Sequence, residues 1–442
     1  MAIRVERLSG HTKLLIQLLI GLLLPVCAWA QQPIVPLQLS LSDPGARSMA
    51  FGGAFVALAD DATAAFANPA GLTQLLRPEI SVEWRRRDFS IPYAKTGRVE
   101  GLPSGYGLDT TVDVKSANSN ETTSGLAFLS FAYPTGNWSF ALYRHEYADL
   151  KFSGETQGLF SGGTDCCQTR LYDQRSTSEL DILSHGFSTA YRVNDKLDLG
   201  LGVVYFDTTL ESNVTQFTVD DDSLESIFGP NSYLPERSLL SQRSFSDDSD
   251  WTVTMGILWR PSERWSIGGV YRQGLETGFA VELRAGEAVD YGVPPGEIIA
   301  EGSLASIEFP DIFGLGVAYR DPGGRLTVSF QWNRVEYSDI PHSIDIDDQT
   351  IDDANELHLG AEYVFLESTP IIALRLGTWL EPDHQMRAII DDPILRAMLP
   401  RGEDEVHFTA GLGLAMQNFQ IDLAVDFADR QDTLSISAIY NF

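Results

Sequence analysis

Beyond residue 30 the chain has no run of 18 consecutive apolar residues, so no segment there can cross a bilayer as a helix. It is also short of basic residues, with 31 Lys+Arg against 61 Asp+Glu and a formal net charge of −30. A chain without basic patches is a poor nucleic-acid partner. Its acid sits in short runs, Asp220-Asp221-Asp222, Asp247-Asp248 with Asp250, and Asp345 through Asp353. Solvated surface accounts for them. A sharper reading has these loops bind divalent cations beside lipopolysaccharide, although no spacing matches a calcium loop. Cysteine is nearly absent: Cys27, and the neighbours Cys166 and Cys167. A disulfide between neighbours is strained, and two thiols with no histidine nearby make no metal site. His145, His185, His358 and His407 are scattered singly, and no strand presents Ser, His and Asp in a nucleophile motif. The sequence therefore predicts no enzyme, no cofactor and no metal.

Residues 1–30 have the layout of an export signal. Arg4, Arg7 and Lys13 precede an apolar run from Leu14 to Cys27, and Ala28-Trp29-Ala30 supplies the small residues a signal peptidase inspects. That run is too short to span a membrane. Cleavage after Ala30 is expected, which places the mature chain outside the inner membrane.

The mature chain is dominated by strict alternation. Leu434, Ile436, Ala438, Tyr440 and Phe442 share one face, with Ser435, Ser437 and Asn441 on the other. Leu357, Leu359, Ala361, Tyr363 and Phe365 oppose Glu356, His358, Gly360 and Glu362, and Val406 to Leu414 repeats the pattern against Glu405, His407, Thr409, Gly411 and Gly413. A soluble sandwich also alternates, but its strands average about five or six residues. These segments run to about ten, the length a tilted strand needs to cross a bilayer. Aromatics such as Trp138, Tyr191, Trp259 and Trp265 stand at segment ends, as interfacial girdles require. The fold class expected is all-β, a transmembrane antiparallel β-barrel of about 14 strands. The predicted spans are 79–90, 124–134, 136–147, 180–193, 196–210, 250–261, 264–275, 309–320, 324–337, 354–367, 369–380, 404–416, 418–428 and 432–442. Residues 91–123, 148–179, 211–249, 276–308 and 381–403 are expected as long outer loops.

Residues 31–78 do not alternate. They carry Arg47-Ser48-Met49, Gly52-Gly53-Ala54, Ala59-Asp60-Asp61-Ala62 and Asn68-Pro69-Ala70-Gly71. Their small residues and turn chemistry suit a compact plug. An exported barrel opening on these motifs resembles the FadL-type outer-membrane transporters of long-chain fatty acids and other hydrophobic compounds. Met255-Gly256-Ile257-Leu258-Trp259 and Phe309-Pro310-Asp311 extend the resemblance downstream. It implies three regions: a signal peptide (1–30), an N-terminal hatch inside the lumen (31–78), and the barrel (79–442). It implies passive uptake of a hydrophobic ligand, by capture outside, an internal pocket, and release past the hatch or sideways through the wall. Asn68, Pro69 and Ala70 match the hatch motif. The implied partners are a long-chain fatty acid or similar small molecule, outer-membrane lipid and lipopolysaccharide, for a monomeric barrel. Some relatives instead serve secretion systems as shuttle or anchor proteins. The family's side opening depends on a kink in the third strand, and Trp138 to Tyr147 contains no Gly or Pro to make one.

Three arginines are candidate ligand contacts. If Ile80, Val82 and Trp84 face lipid, then Arg85 and Arg87 face the lumen beside the hatch, and Arg375 faces inward on a later strand. A guanidinium matches a fatty-acid carboxylate bidentately. The competing assignment pairs them with protein acids such as Glu83, Asp88, Asp60 or Asp61.

Overall fold

A computed structural model describes residues 43–111, 113–162, 169–219, 223–303, 306–343 and 349–442. The export signal, residues 31–42, Cys166 and Cys167, Asp220 to Asp222 and the first part of the Asp345–Asp353 run lie outside the described residues.

Fourteen antiparallel strands make the wall. They are β1 (Glu79–Arg98), β2 (Asp113–Thr135), β3 (Trp138–Thr156), β4 (Asp173–Asn194), β5 (Leu197–Phe217), β6 (Ser238–Ser262) and β7 (Trp265–Arg272). There follow β8 (Ile312–Arg320), β9 (Leu326–Val335), β10 (Ala354–Phe365), β11 (Ile371–Glu381), β12 (Glu405–Ala415), β13 (Phe419–Phe427) and β14 (Gln431–Asn441). Each pairs with the next, and β14 pairs back onto β1 from Asn441 opposite Glu79 to Gln431 opposite Phe89. The ring of fourteen strands is closed.

The apolar face of the strands turns outward. Leu142, Leu315, Leu376 and Phe408 are 60%, 57%, 68% and 63% exposed, a surface stable against hydrocarbon and not against water. Among the described residues no helix is long and apolar enough to cross a membrane.

The strands fall where the alternation puts them, but β1 to β6 are longer than expected. They run to 19–25 residues, against 8–12 for β7 to β14. The expected ends at 90, 147 and 210 become Arg98, Thr156 and Phe217, and the starts at 124, 180 and 250 become Asp113, Asp173 and Ser238. The reason is a change of polarity along the strand. On β1 the inward set passes from Ser81, Glu83, Arg85 and Arg87 to Phe89 and Ile91. On β3 it passes from Ser139 and Ala141 to Ala148, Leu150 and Phe152, while Asp149 and Lys151 turn out. Beyond the lipid the outer face is wet and the inner face apolar, so the lipid-facing signature ends while the ladder continues.

Candidate functional site

Residues 43–75 run inside the barrel. Two short helices, Ala46–Ala50 and Ala64–Ala67, and a 3-10 turn, Pro69–Gln74, are joined by irregular chain. Irregular backbone buried away from water needs partners, at about 1–3 kcal/mol for each group left unmet. The wall supplies them with short side chains. Ser130 donates to Ala62 O (3.2 Å), Ser188 to Ala65 O (2.6 Å), Ser266 to Ala57 O (2.7 Å) and Thr409 to Ala50 O (3.2 Å). Gln331 Oε1 accepts from the amides of Phe55 and Val56 at 2.9 and 2.8 Å, and His358 Nδ1 donates to Gly52 O at 2.7 Å.

Paired glycines make room for this segment. Gly200 on β5 stands opposite Gly256 on β6, Gly268 on β7 opposite Gly316 on β8, and Gly360 on β10 opposite Gly377 on β11. A Cβ at Gly256 would come within 2.2 Å of Asn68 Oδ1, one at Gly268 within 2.3 Å of Val56 O, and one at Gly360 within 2.3 Å of Phe51 O. Each pair is a flat window in the inner wall against which chain is pressed. Sequence reading placed Gly360 on the inward face without assigning it this role. The signal was there: inward glycines that fall opposite one another once neighbouring strands are put in register.

Asn68 is wholly buried and extended (φ −159°, ψ 101°), which ends one helical turn and starts the next. Its Oδ1 accepts from Ala70 N at 3.2 Å, and its Nδ2 donates to Val56 O at 2.9 Å and to Ile257 O of β6 at 3.2 Å. Pro69, first in the 3-10 turn, has no amide to leave unmet.

The three arginines all face inward and all meet carboxylates. Arg85 lies 2.7 Å from Glu83 and donates to Asp43 O at 3.1 Å. Glu83 itself also accepts from Gly45 N and from the Ser435 hydroxyl. Arg375 bridges Glu362 at 2.7 Å and Asp422 at 2.6 Å. Arg87 pairs with Glu146 at 2.9 Å. The pairing with Glu83 was legible two residues away, whereas Glu146 reaches Arg87 from β3, over the intervening β2.

Above the segment the lumen is apolar on the β3–β5 side. Phe66 meets His145 at 4.4 Å and Tyr143 at 6.0 Å, and the surface continues through Tyr147, Phe206, Leu150, Phe152, Leu180 and Ile182. It leads to a small chamber of about 80 Å3, lined by Leu180, Leu210, Phe279, Phe309, Ile340 and Met386 among others. The wall is interrupted beside this region. The β2–β3 ladder stops at Phe128 opposite His145, and β3 bulges at Tyr147, where its register with β4 skips a residue. A bulge deflects a strand with an inserted residue of any type, so the absence of Gly and Pro does not keep β3 straight. Above it, backbone pairing gives way to side-chain bonds such as that from Ser153 N to Ser119 Oγ at 2.8 Å.

The family model described as outer membrane protein transport protein (OMPP1/FadL/TodX) matches residues 37–428. No curated relative matches the chain in sequence. Among solved structures it is similar to a FadL homologue from Pseudomonas aeruginosa, at 16% identity over 92% of this chain and 99% of that one, with a TM-score of 0.62. The toluene transporter TbuX of Ralstonia pickettii gives 18% over 91% and 99%, with a TM-score of 0.56, and TodX of P. putida 16% over 91% and 99%, at 0.54. At these identities the likeness establishes the fold. The family match, by contrast, runs through the luminal segment and every strand but the last, and by it the chain belongs to the OMPP1/FadL/TodX family of outer-membrane transport proteins.

Proposed function

We propose that this barrel passes hydrophobic small molecules inward, through the apolar chamber and then past residues 43–75 or out through the β2–β3 seam. The observation that carries this reading is the reversal of the inner face, polar against the luminal segment and apolar above it on β1 and β3. A water-filled pore has no use for a dry chamber, and a shuttle or anchor protein needs no cavity at all. Closure of β14 onto β1, which leaves neither end of the fourteen-strand wall in need of a second copy, supports a monomer in outer-membrane lipid beside lipopolysaccharide.

Long-chain fatty acids are the substrates we put first, with aromatic hydrocarbons, the cargo named for TbuX and TodX, as the competing class. Of the three arginines, Arg87 is placed to meet an acidic head group, because it lies where the seam begins. Arg85 and Arg375 we assign to bracing. An incoming carboxylate could take the place of Glu146 on Arg87 and leave the guanidinium satisfied. The test is uptake of a fatty acid, its methyl ester and toluene in cells expressing matched amounts of protein. Leu210→Trp, which fills the chamber, should lower all three. The double variant Arg87→Gln/Glu146→Gln, which leaves no unpaired charge, should lower the acid selectively. Equal effects on acid and ester would make Arg87 a brace as well, and undiminished uptake in Leu210→Trp would remove the chamber from the path.

A further inference from the structure

At the outer end of the β11–β12 hairpin, Glu381, Glu405 and His407 turn inward, and one ligand atom from each lies within 4.8 Å of the others. All three are buried, at 3%, 5% and 2% exposure. The ladder brings them together by setting Glu381 opposite Glu405 and Trp379 opposite His407. Two buried carboxylates so close need a positive charge among them. His407 Nδ1 is 3.1 Å from Asp426 Oδ1, and Asp426 is held from its other oxygen by the Trp379 indole at 3.2 Å. With the Nδ1 proton given to that carboxylate, Nε2 presents a lone pair to Glu381 Oε2, 3.1 Å away. Two acceptors stay at that distance only around a proton or a metal ion. A carboxylate on the far nitrogen is also how proteins orient a metal-binding imidazole.

A second observation comes from the loop after β11. His384 is 2% exposed and stacks on Tyr337 at 4.3 Å. Its Nδ1 lies 2.9 Å from Pro382 O, which can only accept, so Nδ1 carries a proton and a neutral ring would offer its lone pair at Nε2. That Nε2 has no hydrogen-bond partner, and neither has Glu381 Oε1, 3.9 Å away. An ion between them would meet both groups.

We propose that Glu381, His384, Glu405 and His407 bind one divalent metal ion at the outer rim of the lumen. Two imidazoles and two carboxylates are a donor set that suits zinc, and its charge balances the two glutamates. His384 and Tyr337 also line the apolar chamber, so the ion ties the loop walling that chamber to the barrel. The rival arrangement is a protonated His407 held between Glu381 and Asp426, with His384 uninvolved.

The full-length protein, purified in detergent and stripped with a chelator, would be titrated with zinc by calorimetry and with cobalt by visible absorption. One equivalent of zinc, and a cobalt spectrum of low coordination number, are expected. His384→Gln lies outside the strands, so it should keep the folded mobility while weakening zinc by about tenfold or more. Glu381→Gln should weaken it likewise. No saturable zinc binding, or binding unchanged in both variants, would overturn the site and leave the protonated histidine.

Discussion

Arg47 and Asp60 show how single charges fasten the luminal segment. Arg47 pairs with Asp60 and lies 3.5 Å from Glu362 of β10, while Asp60 also meets Arg320 of β8 at 3.1 Å. Burial works against ionising Asp60, but Arg47, with help from Arg320, holds its carboxyl down to about 2 from an ordinary 3.8. A depressed carboxyl stabilises the folded form above its unfolded value and loses that contribution as pH falls through its folded one. Asp60 alone contributes on the order of 2 kcal/mol by this reasoning. Burial pushes neighbouring Asp61 up, so the net loss on acidification is smaller. Hydrogen-exchange protection of residues 57–62, measured against the intrinsic rate at each pH, should therefore fall between pH 4 and pH 2, and Asp60→Asn should flatten that dependence. Asn68→Ala removes a cap and two bonds to carbonyls, which costs roughly 1–2 kcal/mol. Heat-modifiable mobility should survive that change while uptake of hydrophobic substrate alters. Normal uptake at matched surface expression would reduce Asn68 to a turn residue. At this scale the sequence showed which arginines turn inward, because alternation reports direction. It did not show what they touch: Glu146 is 59 residues from Arg87, and His407 is 26 from Glu381.

At the scale of elements, the glycine windows are the least tolerant part of the wall. Gly360→Val places branched carbons where Phe51 O now lies, and the backbone on both sides is fixed by the ladder and by His358. The ring should still close, since the strand keeps its hydrogen bonds, but the segment should be displaced. Higher conductance in planar bilayers is the expected reading, and wild-type conductance would mean that the wall yields instead. The membrane-spanning part of every strand was legible from alternation because lipid imposes one rule on all fourteen. The outer halves of β1 to β6 were hidden, since outside the lipid the same two-residue period carries the opposite polarity. The bulge at Tyr147 was hidden for another reason: an inserted residue leaves no mark in composition, only in register with β4.

For the whole molecule, closure of β14 onto β1 predicts a compact form in SDS that migrates differently after boiling. A single mobility at all temperatures would contradict a closed ring. The same closure constrains how the protein is made. Residues 43–75 precede β1 in the chain, yet they finish surrounded by strands whose last members are added at the far end of the sequence. Once Glu79 to Phe89 have met Asn441 to Gln431, the segment can reach its seat only end-on, against windows cut closely to its backbone. A simpler order of events has the segment in place while the ring is still open, so that the strands assemble around it as around a former. Protease protection of residues 43–75 should then rise no later than the compact mobility during refolding into detergent. Protection that trails behind would mean that the chain threads a finished barrel.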